Sequence, residues 1–282
     1  MELSFTARSE KRLSFLLKED MGISTGLMNK LKWQDKLFVN GIPQRTNYMV
    51  KTGDVVTVPL EEETPEYPAE DGELTVLYED EHILAVDKPS GMLIHPSRSA
   101  FTGTLANRVL GYYQKTGQSC AFHPITRLDR DTFGIVLLAK NAHIHALLNQ
   151  LHSEGKLKKI YHALVLGGPE AEKGIIDAPI ARRPLPSLLR YVSEEGKPSV
   201  TQFQVLERRN GISLLELSPI TGRTHQLRVH CAYMGYPILG DPQYGTEEAK
   251  RYAPTQMLCA KKLLFPHPVT KEALVLESKL TV

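Results

Sequence analysis

In residues 125–140, Ile-Thr-Arg-Leu-Asp-Arg-Asp-Thr-Phe-Gly-Ile-Val-Leu-Leu-Ala-Lys, two carboxylates stand among two guanidinium groups just ahead of an apolar run. The triplet Arg127-Leu128-Asp129 enters a short loop that closes on Gly134 and feeds a strand, which puts Asp129 at the mouth of a sheet. A carboxylate beside a guanidinium is held ionised. An ionised Asp acts as nucleophile or base without a cofactor; the competing role for Asp129 is that of a loop cap. Other chemistries fail on spacing. There is no Gly-x-x-x-x-Gly-Lys loop, no Gly-x-Gly-x-x-Gly and no His-Glu-x-x-His. His143 and His145 are only two apart on an expected helix and do not share a face, so no metal site is expected. Asp129 and Asp131 as a glycosidase pair would diverge, and no sugar-binding aromatics surround them.

The elements that must position this loop are legible as pattern. Leu74–Tyr78, His82–Val86, Ile135–Lys140, Ile160–Leu166, Thr201–Leu206 and Ser213–Leu217 read as strands. Helices are expected at Leu105–Gln114 and at Asn141–His152, the latter with Ile144, Leu147, Leu148 and Leu151 as a core stripe. A third helix is expected from Thr224 to Met234, ending at Gly235. The fold class is α+β, with a mixed, largely antiparallel sheet of more than six strands.

Composition narrows the setting. The 282 residues are 41% apolar and 23% charged, as in a soluble globular protein, and this excludes a mainly disordered chain. No apolar run approaches a membrane span, and the N-terminus lacks the build of a signal peptide. Three scattered cysteines form no Cys-x-x-Cys and fit a reduced compartment. A cytoplasmic monomer is the expectation. The net charge of +2 is unevenly spread: residues 1–60 carry 9 basic and 6 acidic residues, whereas residues 61–73 carry 7 acidic residues and no basic one. Two basic bodies (1–60 and 74–282) joined by an acidic linker (61–73) suggest a polyanion partner.

Within the first body, Ser9 to Leu17 reads as a helix capped at Ser9, and Thr25 to Lys32 as a second. Leu37-Phe38-Val39-Asn40-Gly41 signals a hairpin, and Gly53-Asp54-Val55-Val56-Thr57-Val58 a further strand. Two helices and a short ribbon, with Arg8, Lys11, Arg12, Lys30 and Lys32, resemble the small α-L RNA-binding module of some ribosomal proteins and RNA-modifying enzymes. The competing reading is a merely solvated basic face.

In the larger body, Thr126-Arg127-Leu128-Asp129-Arg130-Asp131-Thr132-Phe133-Gly134 resembles the catalytic motif of RNA pseudouridine synthases of the RluA/RluD type. Three more blocks agree in order: Asp87-Lys88-Pro89-Ser90-Gly91, Lys159-Ile160-Tyr161-His162-Ala163, and Gly222-Arg223-Thr224-His225-Gln226-Leu227-Arg228, followed by Gly240-Asp241-Pro242 and Tyr244-Gly245. The resemblance implies a cofactor-free isomerisation of uridine to pseudouridine in RNA, with large-subunit ribosomal RNA favoured and transfer RNA second.

It also implies roles. Asp129 is the catalytic carboxylate, Tyr161 packs on the uracil, and Arg127 fills the gap left by the flipped base. Leu258 lines the base pocket, and Lys88-Pro89 shapes its floor. Helical spacing would place His225, Arg228 and Ala232 on one face, from which Arg228 would give Asp129 two charge-assisted hydrogen bonds. Arg223 is the weaker candidate for that pairing; it and His225 are grouped with the substrate-binding residues. Two positions depart from the motif: Thr126 stands where His is usual, and Phe133 where Ser or Thr is usual. The alternatives are a non-catalytic RNA-binding or ribosome-assembly protein on the same fold, and a carboxylate-based glycoside or nucleoside hydrolase.

Overall fold

The computed structural model describes residues 2–60, 67–97, 100–184, 186–187 and 189–282. The first six residues of the acidic strip, 61–66, thus lie outside the described residues.

The chain opens with strand β1 (Glu2–Thr6), whose Leu3 lies opposite Val58, followed by α1 (Thr25–Trp33), β2 (Phe38–Val39), β3 (Ile42–Pro43) and β4 (Val55–Pro59). Ser24 caps α1 by accepting a bond from the Leu27 amide at 3.2 Å. Asn40 (φ 50°) and Gly41 (φ 78°) occupy the left-handed region that a two-residue hairpin turn demands. The Asn40 side chain also donates to Asp54 Oδ1 and accepts from the Val55 amide, both at 2.8 Å. This clamp ties the Val-Asn-Gly turn to the Gly-Asp-Val-Val segment.

The helix expected from Ser9 begins only at Leu13. Lys11 and Arg12 pair instead with Val50 and Met49 as a short antiparallel ladder, and the Leu13 amide bonds the Tyr48 carbonyl at 2.8 Å. A turn of helix at Leu13–Phe15 widens into a five-residue π-helix at Leu16–Asp20. Leu13, Leu16, Leu17, Val50, Val56 and Val58 close a core of their own.

The larger body is built on β5 (Thr75–Glu79), β6 (Ile83–Lys88), α2 (Leu105–Lys115), β7 (Phe133–Ala139), α3 (Ala142–Ser153), β8 (Lys158–Leu166), β9 (Lys173–Asp177), β10 (Val200–Arg209), β11 (Ile212–Pro219), α4 (Gln226–Tyr233), β12 (Leu258–Pro266) and β13 (Ala273–Glu277). Its ten-stranded sheet runs β9-β10-β11-β8-β12-β7-β6-β5, with β13 also on β12 and the short His123–Pro124 strand on β7. Every pairing is antiparallel except β7 with β12, which is parallel at Phe133↔Cys259 and Gly134↔Ala260. Alternation explains the layering. Leu84, Val86, Val136 and Leu138 face α2, whereas Ile83, Ala85, Ile135 and Leu137 face α3, so β6 and β7 are apolar on both sides.

Residues 67–73 are strapped across α2: Asn107 donates to the Pro68 carbonyl at 2.9 Å, the Glu70 amide donates to the Asn107 carbonyl at 2.9 Å, and Lys115 pairs with Asp71. Gly111 permits this approach, because a Cβ there would meet the Glu70 carbonyl oxygen at 1.9 Å. The N-terminal body sits on the outer side of α3. His143 donates from Nε2 to the Met21 carbonyl at 3.1 Å, Gly22 packs on the Leu147 side chain, where an added Cβ would lie 2.5 Å from Cδ2, and Val269 packs against both cores. Among the described residues, no helix is long and apolar enough to cross a membrane.

Candidate active site

The loop between the His123–Pro124 strand and β7 is held from beneath by Lys88, at the end of β6. Its fully buried ammonium donates to the carbonyls of Pro89 (2.9 Å), Met92 (2.9 Å) and Arg130 (2.8 Å), which uses all three of its hydrogens. Burial lowers the Lys88 pKa to about 8, against the opposing pull of Asp131 and Asp129. Ser90 donates to the Asp131 carbonyl at 3.0 Å, and Gln256 donates to Thr132 Oγ1 at 2.6 Å. Thr126, at the position where His is usual, is buried and accepts from the Leu137 amide at 3.0 Å, so it fastens the loop to β7. Phe133, the other departure, is buried at the first step of the parallel pairing. Gly134 has φ 106°, and a Cβ there would lie 2.4 Å from the Ala260 oxygen; the parallel contact with β12 requires a glycine.

Within this frame the two acids of the loop diverge. Asp131 pairs with its neighbour Arg130 at 3.0 and 3.1 Å. Asp129 accepts from Arg228 Nη1 at 3.0 Å and lies 3.8 Å from His225 Nε2. Arg228 is therefore the partner expected for Asp129, but the two-bonded pairing is elsewhere. Its Nε and Nη2 go to Asp241 at 2.7 and 2.8 Å, and Nη2 also reaches Gln243 at 2.9 Å. Two N–H groups are left, both on Nη1, and Asp129 takes one of them. Burial opposes the Arg228 charge, yet Asp241 and Asp129 outweigh it and hold the guanidinium above its ordinary value; Arg228 likewise overcomes burial to hold Asp241 below the usual carboxylate range. Asp241 further accepts from the backbone amides of Gln243 and Tyr244, and the Tyr244 ring lies 5.0 Å from the guanidinium. The sequence marked Asp241 and Tyr244 as part of a block without giving either a task, and did not mark Gln243 at all.

The helix carrying Arg228 starts at Gln226, two residues later than expected. His225 is left-handed (φ 58°), so it is not on the helical face with Arg228; the turn, not the helix, aims it. Gln226 secures that turn, accepting from Thr221 Oγ1 (2.8 Å) and the Arg223 amide (3.0 Å) while donating to Thr201 Oγ1 (3.0 Å). His225 Nδ1 lies 2.8 Å from the Tyr244 hydroxyl, and burial keeps its pKa low despite Asp129. Arg223 is exposed and donates to the Pro198 carbonyl at 3.1 Å, which removes it as a partner for Asp129.

A cavity of about 1030 Å³ opens over Asp129 and is lined also by Arg127, Tyr161, Arg223, His225 and Leu258. Tyr161 and Leu258 come from adjacent antiparallel strands, with Tyr161 opposite Ala260 and Ala163 opposite Leu258. Burial, and next the Asp129 charge, push the Tyr161 hydroxyl well above the usual phenol range, so it stays neutral. Arg127 is exposed at the mouth. The five basic residues of the N-terminal body lie apart from the cavity. Arg8, Arg12, Lys30 and Lys32 are exposed, whereas Lys11 is engaged by Asp20 at 2.8 Å and Glu19 at 3.5 Å.

A carboxylate, a guanidinium and a neutral phenol thus surround a cavity at the one parallel junction described in a largely antiparallel sheet. The family model described as RNA pseudouridylate synthase matches residues 82–233. An RNA pseudouridine synthase of Bacillus subtilis, named as uncharacterised, is 38% identical over 256 residues, 90% of each chain. Ribosomal large subunit pseudouridine synthase D of Pseudomonas aeruginosa is 35% identical over 258 residues, 87% of this chain and 80% of that one. Among solved structures, human RNA pseudouridylate synthase domain containing 4 superposes with a TM-score of 0.60 at 28% identity, covering 73% of this chain and 88% of that one. The chain belongs to the RNA pseudouridylate synthase family, and its activity is the isomerisation of uridine in RNA.

Proposed function

We propose that the chain modifies uridine in large-subunit ribosomal RNA, and that Asp129 is its catalytic carboxylate. The observation that carries this reading is the 3.0 Å bond from Arg228 to Asp129 beneath a cavity shared with Tyr161 and Leu258. The reaction breaks the bond from N1 to the ribose, rejoins the ribose at C5 and expels the C5 hydrogen into water. Asp129 acts at the sugar or the base, and Arg228 fixes its orientation. Tyr161 packs on the uracil and Leu258 backs it, while His225 and Arg223 flank the entrance. The uridine enters by flipping out of its stack, which costs a few kcal/mol, and Arg127 fills the vacated place. Residues 1–60 serve as an α-L docking module joined through residues 61–73 to the catalytic part, 74–282, and the protein works as a cytoplasmic monomer. The name of the Pseudomonas relative supports the choice of ribosomal RNA.

The test uses unmodified transcripts carrying tritium at C5 of uracil. The wild type should release tritium from large-subunit ribosomal RNA, and Asp129→Asn should not. Release by both proteins would remove Asp129 from the chemistry. Release from transfer RNA alone would move the target.

A further inference from the structure

The cavity extends well past Asp129, along α3 and the start of β8. His145, Asn149 and His152, spaced i, i+4 and i+7 on one face of α3, line this arm together with Lys159. Among the described residues lining the cavity, Asp129 is the sole carboxylate, and Arg228 already bonds it; Arg127, Arg223 and Lys159 add positive charge, while Arg130 is paired with Asp131.

Lys159 stands out within it. The side chain is half-buried, and among the described residues its ammonium has one hydrogen-bond partner, His152 Nε2 at 3.0 Å, and no carboxylate. Because the lysine donates to that nitrogen, His152 is neutral and supplies no countercharge. Two ammonium hydrogens remain, for which no described residue supplies an acceptor. A half-buried ammonium without a countercharge is costly to keep, and a methionine would cover the same apolar stem at lower cost. Lys159 and Tyr161 are two residues apart on β8, either side of the register shift at Ile160/Tyr161, and both line the cavity; the spacing is about 7 Å, a step on the scale of one nucleotide.

We propose that Lys159, with the His145–Asn149–His152 face of α3, is a binding subsite for the backbone phosphate of the RNA nucleotide adjoining the flipped uridine. The proposal rests on the placement of uracil against Tyr161 given under Proposed function. The ammonium takes the non-bridging oxygens, and the α3 side chains face the sugar and base that follow.

The test compares wild type, Lys159→Met and Lys159→Arg on one short RNA carrying tritium at C5 of its target uracil, over a range of salt. A second set of RNAs carries a neutral methylphosphonate at each phosphate near that uridine in turn. Lys159→Met should raise KM about tenfold, as expected for losing one charge-assisted bond, with kcat within about twofold. It should also flatten the slope of log affinity against log salt by about 0.7, and Lys159→Arg should restore that slope. One methylphosphonate should weaken the wild type equally and cost Lys159→Met nothing further. A fall in kcat with unchanged KM and salt slope, or methylphosphonate penalties that persist in full in Lys159→Met, would make Lys159 structural and overturn the subsite. Equilibrium affinity for the same RNAs is read without turnover, so a wild type that binds but releases no tritium would refute the reaction assigned to this RNA while the salt slope still decides Lys159.

Discussion

Arg228 gives Asp241 two hydrogen bonds, at 2.7 and 2.8 Å, and Asp129 one, at 3.0 Å. The fully buried Asp241 thus anchors the guanidinium, while the Asp129 side chain remains 29% exposed to the cavity. The two carboxylates should therefore separate stability from chemistry. Asp241→Asn breaks a buried pair and should cost about 3 kcal/mol of unfolding free energy, with activity falling as Arg228 loses its anchor. Asp129→Asn should abolish tritium release at a stability cost below about 1 kcal/mol. Denaturant unfolding of both variants beside the release assay checks the contrast; equal destabilisation would contradict it.

Lys88 makes the protein sensitive to alkali. The folded chain releases the Lys88 proton near pH 8, whereas the unfolded chain holds it to 10.5. Between these values the unfolded state binds more protons, so the contribution of Lys88 to unfolding free energy rises with pH. Activity should move the other way. A neutral amine has two hydrogens for three carbonyls, and one of those carbonyls belongs to Arg130, the residue after Asp129. Turnover should decline with an apparent pKa near 8 while the fold persists, and Lys88→Met should lose both the stability rise and most of the turnover. Parallel pH profiles of melting and tritium release decide it.

Tyr161→Phe keeps the ring and removes the hydroxyl. Since that hydroxyl is held neutral, RNA affinity should change less than about twofold, and no acid–base limb of the rate profile should disappear. A fall in turnover with unchanged affinity would assign the hydroxyl a proton-transfer task at the ring; loss of affinity would contradict the packing role.

Gly134→Ala forces a Cβ into the Ala260 carbonyl at φ 106°. A destabilisation of at least about 2 kcal/mol is expected from strain and clash together. It should be larger than for Gly41→Ala, where no atom lies within 4 Å of the added Cβ. Thermal melting of the pair checks this.

Replacing Arg8, Arg12, Lys30 and Lys32 together by Gln should raise KM and leave kcat unchanged, because these exposed charges lie apart from the cavity. The slope of log affinity against log salt should flatten by up to about 3. An unchanged slope would leave residues 1–60 without a role in gripping RNA.

Asp129 and Arg228 were legible in the sequence because each lies in a short contiguous motif and both belong to one chemical idea. Asp241 was not, since the bond that matters spans 13 positions across a turn and follows no period. Lys88 was readable only as part of the floor: its acceptors are backbone carbonyls, which leave no mark in a sequence. Six strands of the larger sheet and the two longer helices followed from alternation and stripe, whereas β9, β12 and β13 were not read from the sequence. The helix expected at Ser9 failed because a cap signal competes with ladder partners, and Met49 and Val50 lie too far along the chain for a local pattern to reveal. Strand β1 went unseen because only Leu3 and Phe5 carry its alternation.

Helix α3 has a tenant on each side. His143 and Leu147 meet the N-terminal body, while His145, Asn149 and His152 look into the cavity. One helix is about 10–12 Å thick, so the two bodies share a party wall instead of hanging from a tether. Under the docking role proposed for residues 1–60, an RNA held there would meet Asp129 at a set span and angle. Which uridine is reached then becomes a matter of measured length along the RNA as well as of the sequence around it.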